Sequence, residues 1–448
     1  MIEIFVSLSR DGHDLPLGSI HVDSIRGKDA YSFEFDPQAL TQGYASALPD
    51  QDLMPIAGRQ YKADSSTPYH FIADSSPNRW GRNLLRKANG GKALRDIDCL
   101  LGVSDASRMG ALRYSLQKEG PFLSSHGDIP PYRYLRELEE AAYSFDAFAK
   151  DERWKSLLEP GSSLGGARPK ASIYGNDKTL YLAKFSHEHD DYDVPGVEYL
   201  TYLLACKSGV KMAPSKLLSI GERHSVFLTQ RFDRKDGQRI HYSSFMTLLH
   251  AAEGDSSSYT YLDVAERISQ LSAAPKEDLR QMFLRVAFSL LAHNYDDHLR
   301  NHAMMYIDKG WRLSPAFDLN ISFDQRSPTL PIGEGGDGID ALVMCSPYFG
   351  IACEEGMAIV SSMKRVLHTV LPSAAKKPLY PRSSHIASVS YCPYNHFASP
   401  LFNKRPILDW HDTRFCQNNL QKRDIFSKSS TSPASFPFSF IKRSQDSP

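Results

Sequence analysis

The stretch NYDDHLRN, residues 294–301, sets two adjacent carboxylates, an imidazole, a guanidinium and a carboxamide directly after an apolar run. Asp296 and Asn301 show the D-x-x-x-x-N spacing that puts a base for a hydroxyl beside an oxygen ligand for Mg²⁺. Asp318, in SPAFDLN, lies 22 residues beyond Asp296 and can fill a second metal role, since oxygen donors suit a hard cation. Upstream, SSLGGARPK offers glycines that let backbone N–H groups approach phosphate closely. Lys184 closes the strand-like LYLAK, where an ammonium can hold phosphates, and Glu198 on the following helix can hold that ammonium. In this order the residues supply the parts that phosphoryl transfer from ATP to a hydroxyl requires: a loop, a cation, a base and metal ligands.

Each part also has a structural explanation. Asp, His and Asn end helices and cap the next element; the pair Gly165-Gly166 can be a turn, Lys184 a solvated strand end, Glu198 a solvent-facing helix residue and Asp318 a turn cap. The joint order across the chain favours the chemical reading. A transition-metal reading competes, because His298 and His302 stand at i and i+4 with His293 nearby. It lacks the general-base Glu of H-E-x-x-H and has no cysteine close by.

The elements that must position these residues follow from hydrophobic period. IEIFVSLS and AYSFEF alternate as strands around the turn-rich RDGHDLPLG and RGKD. NRWGRNLLRKA and YRYLRELEEAAYSF have helical spacing, with Leu135, Leu138 and Ala141/Ala142 on one face. A strand–turn–strand is expected around YGNDK, then a helix over GVEYLTYLLACKSG with Val197, Leu200, Leu203 and Leu204 on one face and Gly209 as its stop. HSVFLTQRFDR returns to strand. Leu279, Met282, Phe283, Val286, Ala287, Leu290 and Leu291 predict a helix that ends where NYDDHLRN begins. AMMYID and WRLSPAFDL read as strands, GEGGDGID as a loop, and CEEGMAIVSSMKRVLHTV as a helix.

A chain of 448 residues with 41% hydrophobic and 23% charged residues has ample material for a globular core and more than one domain. No run of about 18 apolar residues occurs, and MIEIFVSLSRDG lacks the basic start and apolar block of a signal peptide, so a cytoplasmic location is expected. The six cysteines are scattered without a C-x-x-C pair, which argues against a disulfide framework or zinc ribbon. Net charge is zero, but residues 373–448 hold 11 Lys/Arg against 4 Asp/Glu, leaving that end at +7 and the rest at −7. Of its 76 residues 22 are Ser or Pro, and apolar periodicity stops.

SSLGGARPKA, KFS, RFDR, NYDDHLRNHA and LSPAFDLN, in this order, resemble the HipA family of bacterial type II toxin–antitoxin serine/threonine kinases, as do SSPNRWGRNLL and GVSDASRMGALRYS near the start. The resemblance runs from residue 1 to about residue 370. It implies an α+β, protein-kinase-like, two-lobed fold with a β-rich N-terminal subdomain and an all-helical C-lobe. The boundaries expected are 1–115 for the N-terminal subdomain, 116–240 for the kinase N-lobe, 241–372 for the C-lobe and 373–448 for an atypical basic end, disordered or frameshifted. The cofactors implied are ATP and Mg²⁺. Asp296 matches the catalytic aspartate, Asn301 and Asp318 the Mg²⁺ ligands, and Lys184 the ATP-phosphate lysine positioned by Glu198. Gly165, Gly166, Ala167, Arg168, Pro169 and Lys170 match the phosphate-covering segment, and Gln230, Arg231 and Phe232 the hinge that reads adenine. His298, Leu299, Arg300 and Phe317 complete the nucleotide site.

Ser163 matches a serine that family members autophosphorylate. A phosphate there would add nearly two negative charges and expel the loop. The implied partners are a helix-turn-helix antitoxin of the same operon, operator DNA through it, and a protein substrate such as an aminoacyl-tRNA synthetase, whose modification slows translation and favours persistence. The sequence departs from the pattern at Asn78, where aspartate is commoner, and after Ser373. Two other functions remain open: a catalytically decayed homologue that acts only through antitoxin and operator, and a small-molecule kinase of similar fold.

Overall fold

The computed structural model describes residues 1–374 except 26–27, 51, 63, 65–66, 78, 124–128, 144, 146–154, 156–167, 191, 221–223, 253, 309, 322–329 and 334–335. The described residues belong to one compact unit, Met1–His396; Phe397–Pro448 make a second, outside the described residues. Asn78 and the basic end beyond Ala374 fall outside them as well.

The alternating N-terminus folds as expected. β1 (Ile2–Arg10) turns into β2 (His13–Ile25) through Asp11 and Gly12, both at positive φ, the conformation a two-residue hairpin loop demands and the reason for the Asp-Gly pair. With β3 (Lys28–Phe35), β4 (Arg59–Tyr61) and β5 (Leu112–Ser115) they form an antiparallel sheet of order β4-β3-β2-β1-β5. Ile4, Val6 and Leu8, two apart, face one core with Phe33, Tyr69 and Tyr114.

A second antiparallel sheet, order β6-β7-β9-β8, follows from β6 (Lys170–Tyr174), β7 (Leu180–Phe185), β8 (Ser215–Ile220) and β9 (His224–Gln230). Ala171, Ile173, Ala183, Phe185, Val226 and Leu228 point to one face and pack on Trp80 and Leu84 of the helix Arg79–Ala88 and on Leu135 and Leu138 of the helix Leu135–Tyr143. By the two-residue period, Lys170, Leu182, Lys184, Phe227 and Thr229 must point to the other face. Trp80 Nε1 donates to the Lys170 carbonyl at 3.0 Å, fixing the start of β6 from behind.

The helix Val194–Lys207 starts with Asp193 accepting from the Gly196 amide and ends at Gly209, whose φ of 84° lets Val210 N–H reach the Ala205 carbonyl. Its buried face is Val197, Leu200, Thr201 and Leu204, whereas Leu203, expected with them, is 38% exposed. At 100° per residue Leu203 lies beyond the stripe that the sheet covers.

Two minor strands, β10 (Arg234–Lys235) and β11 (Gln238–Arg239), lead to the helical lobe. There the helix Pro275–Leu291 packs against the helices Tyr261–Leu271, Ile339–Met344 and Cys353–Ala374. Proline at its first position and Glu277 and Asp278 in its first turn suit a helix N-terminus. The lobe expected to be all helix carries in addition a three-stranded sheet of β12 (His241–Ser244), β13 (Ala303–Ile307) and β14 (Gly310–Leu313). The strand expected over WRLSPAFDL ends at Leu313. Among the described residues no helix is long and apolar enough to cross a membrane.

Candidate active site

The free face of the β6–β9 sheet and the loops of the helical lobe enclose a cleft of about 1000 Å³, counting space open to solvent. Lys170, Lys184, Glu198, Arg300, Asn301, Phe317 and Asp318 all line it, although the chain separates the first and last by well over one hundred residues.

Lys184 is its electrostatic centre. The ammonium donates to Glu198 and, at 2.6 Å, to Asp318 Oδ1. Burial alone would lower the Lys184 pKa, but the Asp318 and Glu198 carboxylates outweigh this and hold it above the ordinary lysine value. Lys184, together with Lys170, holds Asp318 well below the usual carboxylate range despite its burial. Glu198 moves the other way, raised by burial against the pull of Lys184. Lys170, cross-strand from Lys184, is pushed by burial down to about 8. Glu198 and Asp318 match the two lysines in number, but both accept from Lys184, which leaves Lys170 to meet an anionic guest.

Asn301 sits on a single helical turn, Leu299–Asn301. Its Nδ2 donates to the Asp296 carbonyl at 3.0 Å, so Oδ1 is the atom left to accept or to ligate a cation. Asp318 has φ of 57°, a left-handed conformation uncommon outside glycine and tolerated by Asp. The Asn320 side chain donates to its carbonyl at 3.3 Å, and Asn294 Oδ1 accepts from the Asn320 amide at 3.3 Å. The oxygen of Asp318 and that of Asn301 are the donors that could hold Mg²⁺, a fit that rests on their chemistry and on the cleft they share. Phosphates would meet Lys184 and Lys170. Leu182, Phe227, Met212 and Ala316 supply an apolar wall for a base.

Asp296 is exposed and does not line the cleft itself, while its neighbour Asp297 is buried. Asp297 Oδ2 accepts from Tyr261 Oη at 2.5 Å and Ser289 Oγ at 3.0 Å, and His302 Nε2 lies 2.9 Å from Oδ1. Sequence reasoning gave Asp297 no role, yet it anchors the whole NYDDHLRN turn. The His302 imidazole faces Asp297, and among the described residues His293, His298 and His302 belong to no group of three or more side chains placed to share a metal ion, so the zinc reading of His298 and His302 gains no support. The signal available was the pair itself: of two adjacent carboxylates, one points inward.

Residues 162–369 match the model of the HipA-like C-terminal domain family. This segment is similar to that family over just under half of the chain. Two relatives from Sinorhizobium fredii are similar to the chain: "Putative kinase Y4mE", 24% identical over 219 residues, covering 46% of the chain and 51% of the relative, and "Putative kinase Y4dM", 26% identical over 202 residues, covering 43% and 45%. The chain spans about half the length of these curated relatives. A chain from the Shewanella oneidensis MR-1 toxin–antitoxin complex of HipA, HipB and operator DNA superposes with a TM-score of 0.62 at 16% identity, covering 89% of this chain and 96% of that one. The α+β, kinase-like fold expected from the sequence is the one observed.

Within the matched segment the remaining expected residues fall in different places. Ser163, Gly165, Gly166 and Ala167 lie outside the described residues. Arg168 is exposed and pairs with Asp190 at 2.5 Å, Pro169 is buried, and Lys170 belongs to β6 rather than to a loop. The hinge segment is heavily committed: the Gln230 amide donates to the Pro214 carbonyl and the Arg231 amide to the Leu180 carbonyl, both at 2.9 Å. Neither N–H is left for adenine. The Arg231 guanidinium is buried on Asp233 and the Ser107 carbonyl, and Asp233 also accepts from the Gly110 amide at 2.8 Å. Arg231 is thus a strut between the N-terminal subdomain and the β6–β9 sheet. The Phe232 ring packs tilted against the Phe317 ring at the cleft, their centroids 5.3 Å apart. Leu299 is buried, and His298 lies close enough to Asp318 to help keep it ionised. Asp74, which the sequence did not mark, also lines the cleft and is held by Ser244, whose Oγ donates to Oδ1 at 2.5 Å and whose amide donates to Oδ2 at 2.8 Å.

Proposed function

We propose that the chain is an ATP-dependent serine/threonine protein kinase of the toxin–antitoxin type. The observation that carries this is the Lys184–Glu198–Asp318 cluster in a cleft shared with Lys170 and Asn301. ATP would supply the transferable phosphoryl group, and Mg²⁺ the positive charge that neutralises the negative charge on its oxygens. The protein's own part is positioning. Lys184, fixed by Glu198, holds phosphate oxygens, Lys170 adds a second positive charge, and Asp318 with Asn301 presents oxygens to the metal. Asp296 takes the proton of the attacking hydroxyl. Its exposure suits a hydroxyl that arrives on another protein, because such a substrate reaches the base only from solvent. The small-molecule kinase reading has no comparable support.

The similarity to a chain crystallised with HipB and operator DNA supports an antitoxin partner here, and DNA through it. The resemblance of the sequence motifs supports an aminoacyl-tRNA synthetase as substrate and Ser163 as a site of self-inactivating autophosphorylation. Induced expression in a bacterial host tests the toxin function. The wild-type chain should arrest growth and protein synthesis, the Asp296→Asn variant at equal abundance should not, and co-expression of the adjacent antitoxin should restore growth. Unimpeded growth with soluble wild-type chain present would overturn the toxin reading.

A further inference from the structure

Away from the cleft, four side chains converge where the N-terminal subdomain meets the helical lobe. Asp50 and Asp52 follow the turn Tyr44–Ala47, His70 opens the helix His70–Ser75, and His250 follows the short helix Phe245–Leu248. One atom from each lies within 4.8 Å of the others. His70 Nδ1 is 3.9 Å from Asp50 Oδ1 and 3.6 Å from Asp52 Oδ2, and His250 Nε2 is 3.8 Å from Asp50 Oδ1.

These separations are too long for hydrogen bonds. They are close to the spacing of about 3.3 Å between donors of a tetrahedral ion with bonds of about 2.0 Å. His70 Nδ1 is buried and has no hydrogen-bond partner, a cost that a metal bond would remove. The Asp50 carboxylate is already oriented, accepting from the Phe71 and Asp52 amides at 3.2 Å each, as ligands in metal sites commonly are. Lys62, 3.3 Å from Asp52 Oδ2, holds its place through the Pro68 carbonyl and Thr67 hydroxyl and leaves a net negative charge for a dication to meet. Two imidazoles with two carboxylates select a zinc-class ion over Mg²⁺ or Ca²⁺.

We propose that Asp50, Asp52, His70 and His250 form a structural Zn²⁺ site that clamps the N-terminal subdomain to the helical lobe. Three ligands come from the first and one from the second. The Thr247 hydroxyl donating to the His70 carbonyl at 3.0 Å already holds the two halves in register. With four protein ligands the site is closed, so it fastens the fold and has no open position for chemistry.

Co²⁺ reports the geometry directly. The full chain, stripped with chelator, should take up one equivalent of Co²⁺ with the intense visible absorption of tetrahedral coordination and without a thiolate charge-transfer band, and Zn²⁺ should displace it. Loss of a group that merely orients a ligand costs about 10–100-fold in affinity, so His70→Gln and His250→Gln should each weaken binding at least that much. Zn²⁺ should raise the Tm of the wild type and leave that of either variant unchanged. Three results would overturn the site: no uptake by the wild type, a thiolate band showing cysteine ligands, or uptake unaltered by both substitutions. If a variant fails to fold, the wild-type spectrum decides alone.

Discussion

The adjacent carboxylates Asp296 and Asp297 should respond oppositely to the same substitution. Asp297 is 1% exposed and gathers the Tyr261 hydroxyl, the Ser289 hydroxyl and the His302 imidazole. Asp297→Ala strands these groups. Hydrogen bonds to a charged acceptor contribute about 1.5–3 kcal/mol each, and removing one member of a buried paired cluster costs about 3–5 kcal/mol in all. Asp297→Asn keeps one oxygen for Tyr261 and Ser289 and loses only the charge toward His302, so about 1.5–3 kcal/mol is expected. Asp296 is exposed, where substitutions stay within about 0.5 kcal/mol, while removal of a general base lowers transfer by about 10²–10⁴-fold. Urea unfolding and phosphate transfer, measured on both Asn variants, separate the roles. Burial raises the pKa of Asp297, but His302, Tyr261 and Ser289 together pull it below the usual range. Its stabilisation is therefore complete above the unfolded value of about 3.9 and is lost as pH falls through the folded value, so the stability gap between wild type and Asp297→Asn should close in acid. Wild-type stability in Asp297→Asn at neutral pH, or a loss of more than about 2 kcal/mol in Asp296→Asn, far outside the surface range, would refute this division of labour.

Other perturbations of the cleft have distinct signatures. Lys184→Met leaves Glu198 and Asp318 without their shared ammonium and should cost about 3–5 kcal/mol and abolish nucleotide binding; wild-type affinity by fluorescent-nucleotide titration would remove Lys184 from its role. Lys170, depressed to about 8, destabilises the fold while charged, so stability should rise between about pH 8 and pH 10.4, where only the unfolded chain still holds that proton. Lys170→Met should accordingly raise neutral-pH stability by roughly 3 kcal/mol and weaken nucleotide binding; a destabilised variant in chemical denaturation would contradict this. Asp318→Asn should flatten the Mg²⁺ dependence of ATP affinity in calorimetric titration, and an unchanged dependence would count against Asp318 as a ligand.

Local pattern carried much of the fold. The Asp11-Gly12 hairpin, the stop at Gly209 and the apolar stripe of Pro275–Leu291 are set by neighbours within a turn or two of chain, so period and turn chemistry expose them. The order of Lys184, Glu198, Asn301 and Asp318 was also readable, and the structure brings these four to one cleft. What the sequence concealed depends on contacts across long stretches of chain. Arg231 looks like part of a nucleotide hinge until Ser107 and Asp233 are seen to hold it. Asp297 is marked only by Tyr261, Ser289 and His302 closing on it, and Lys170 passes for a loop residue until its pairing with Lys184 places it in β6. Asp50, His70 and His250 are far apart in sequence and share no motif.

The central claim is transfer of the ATP γ-phosphate through Asp296. Its most direct test is mass spectrometry of the purified chain after incubation with ATP and Mg²⁺, beside the Asp296→Asn variant. Phosphate on Ser163 in the wild type alone is the expected result, with the variant still binding nucleotide. Equal phosphorylation of both proteins, or a wild type that binds ATP and Mg²⁺ and transfers nothing to itself or to any protein hydroxyl, would contradict it.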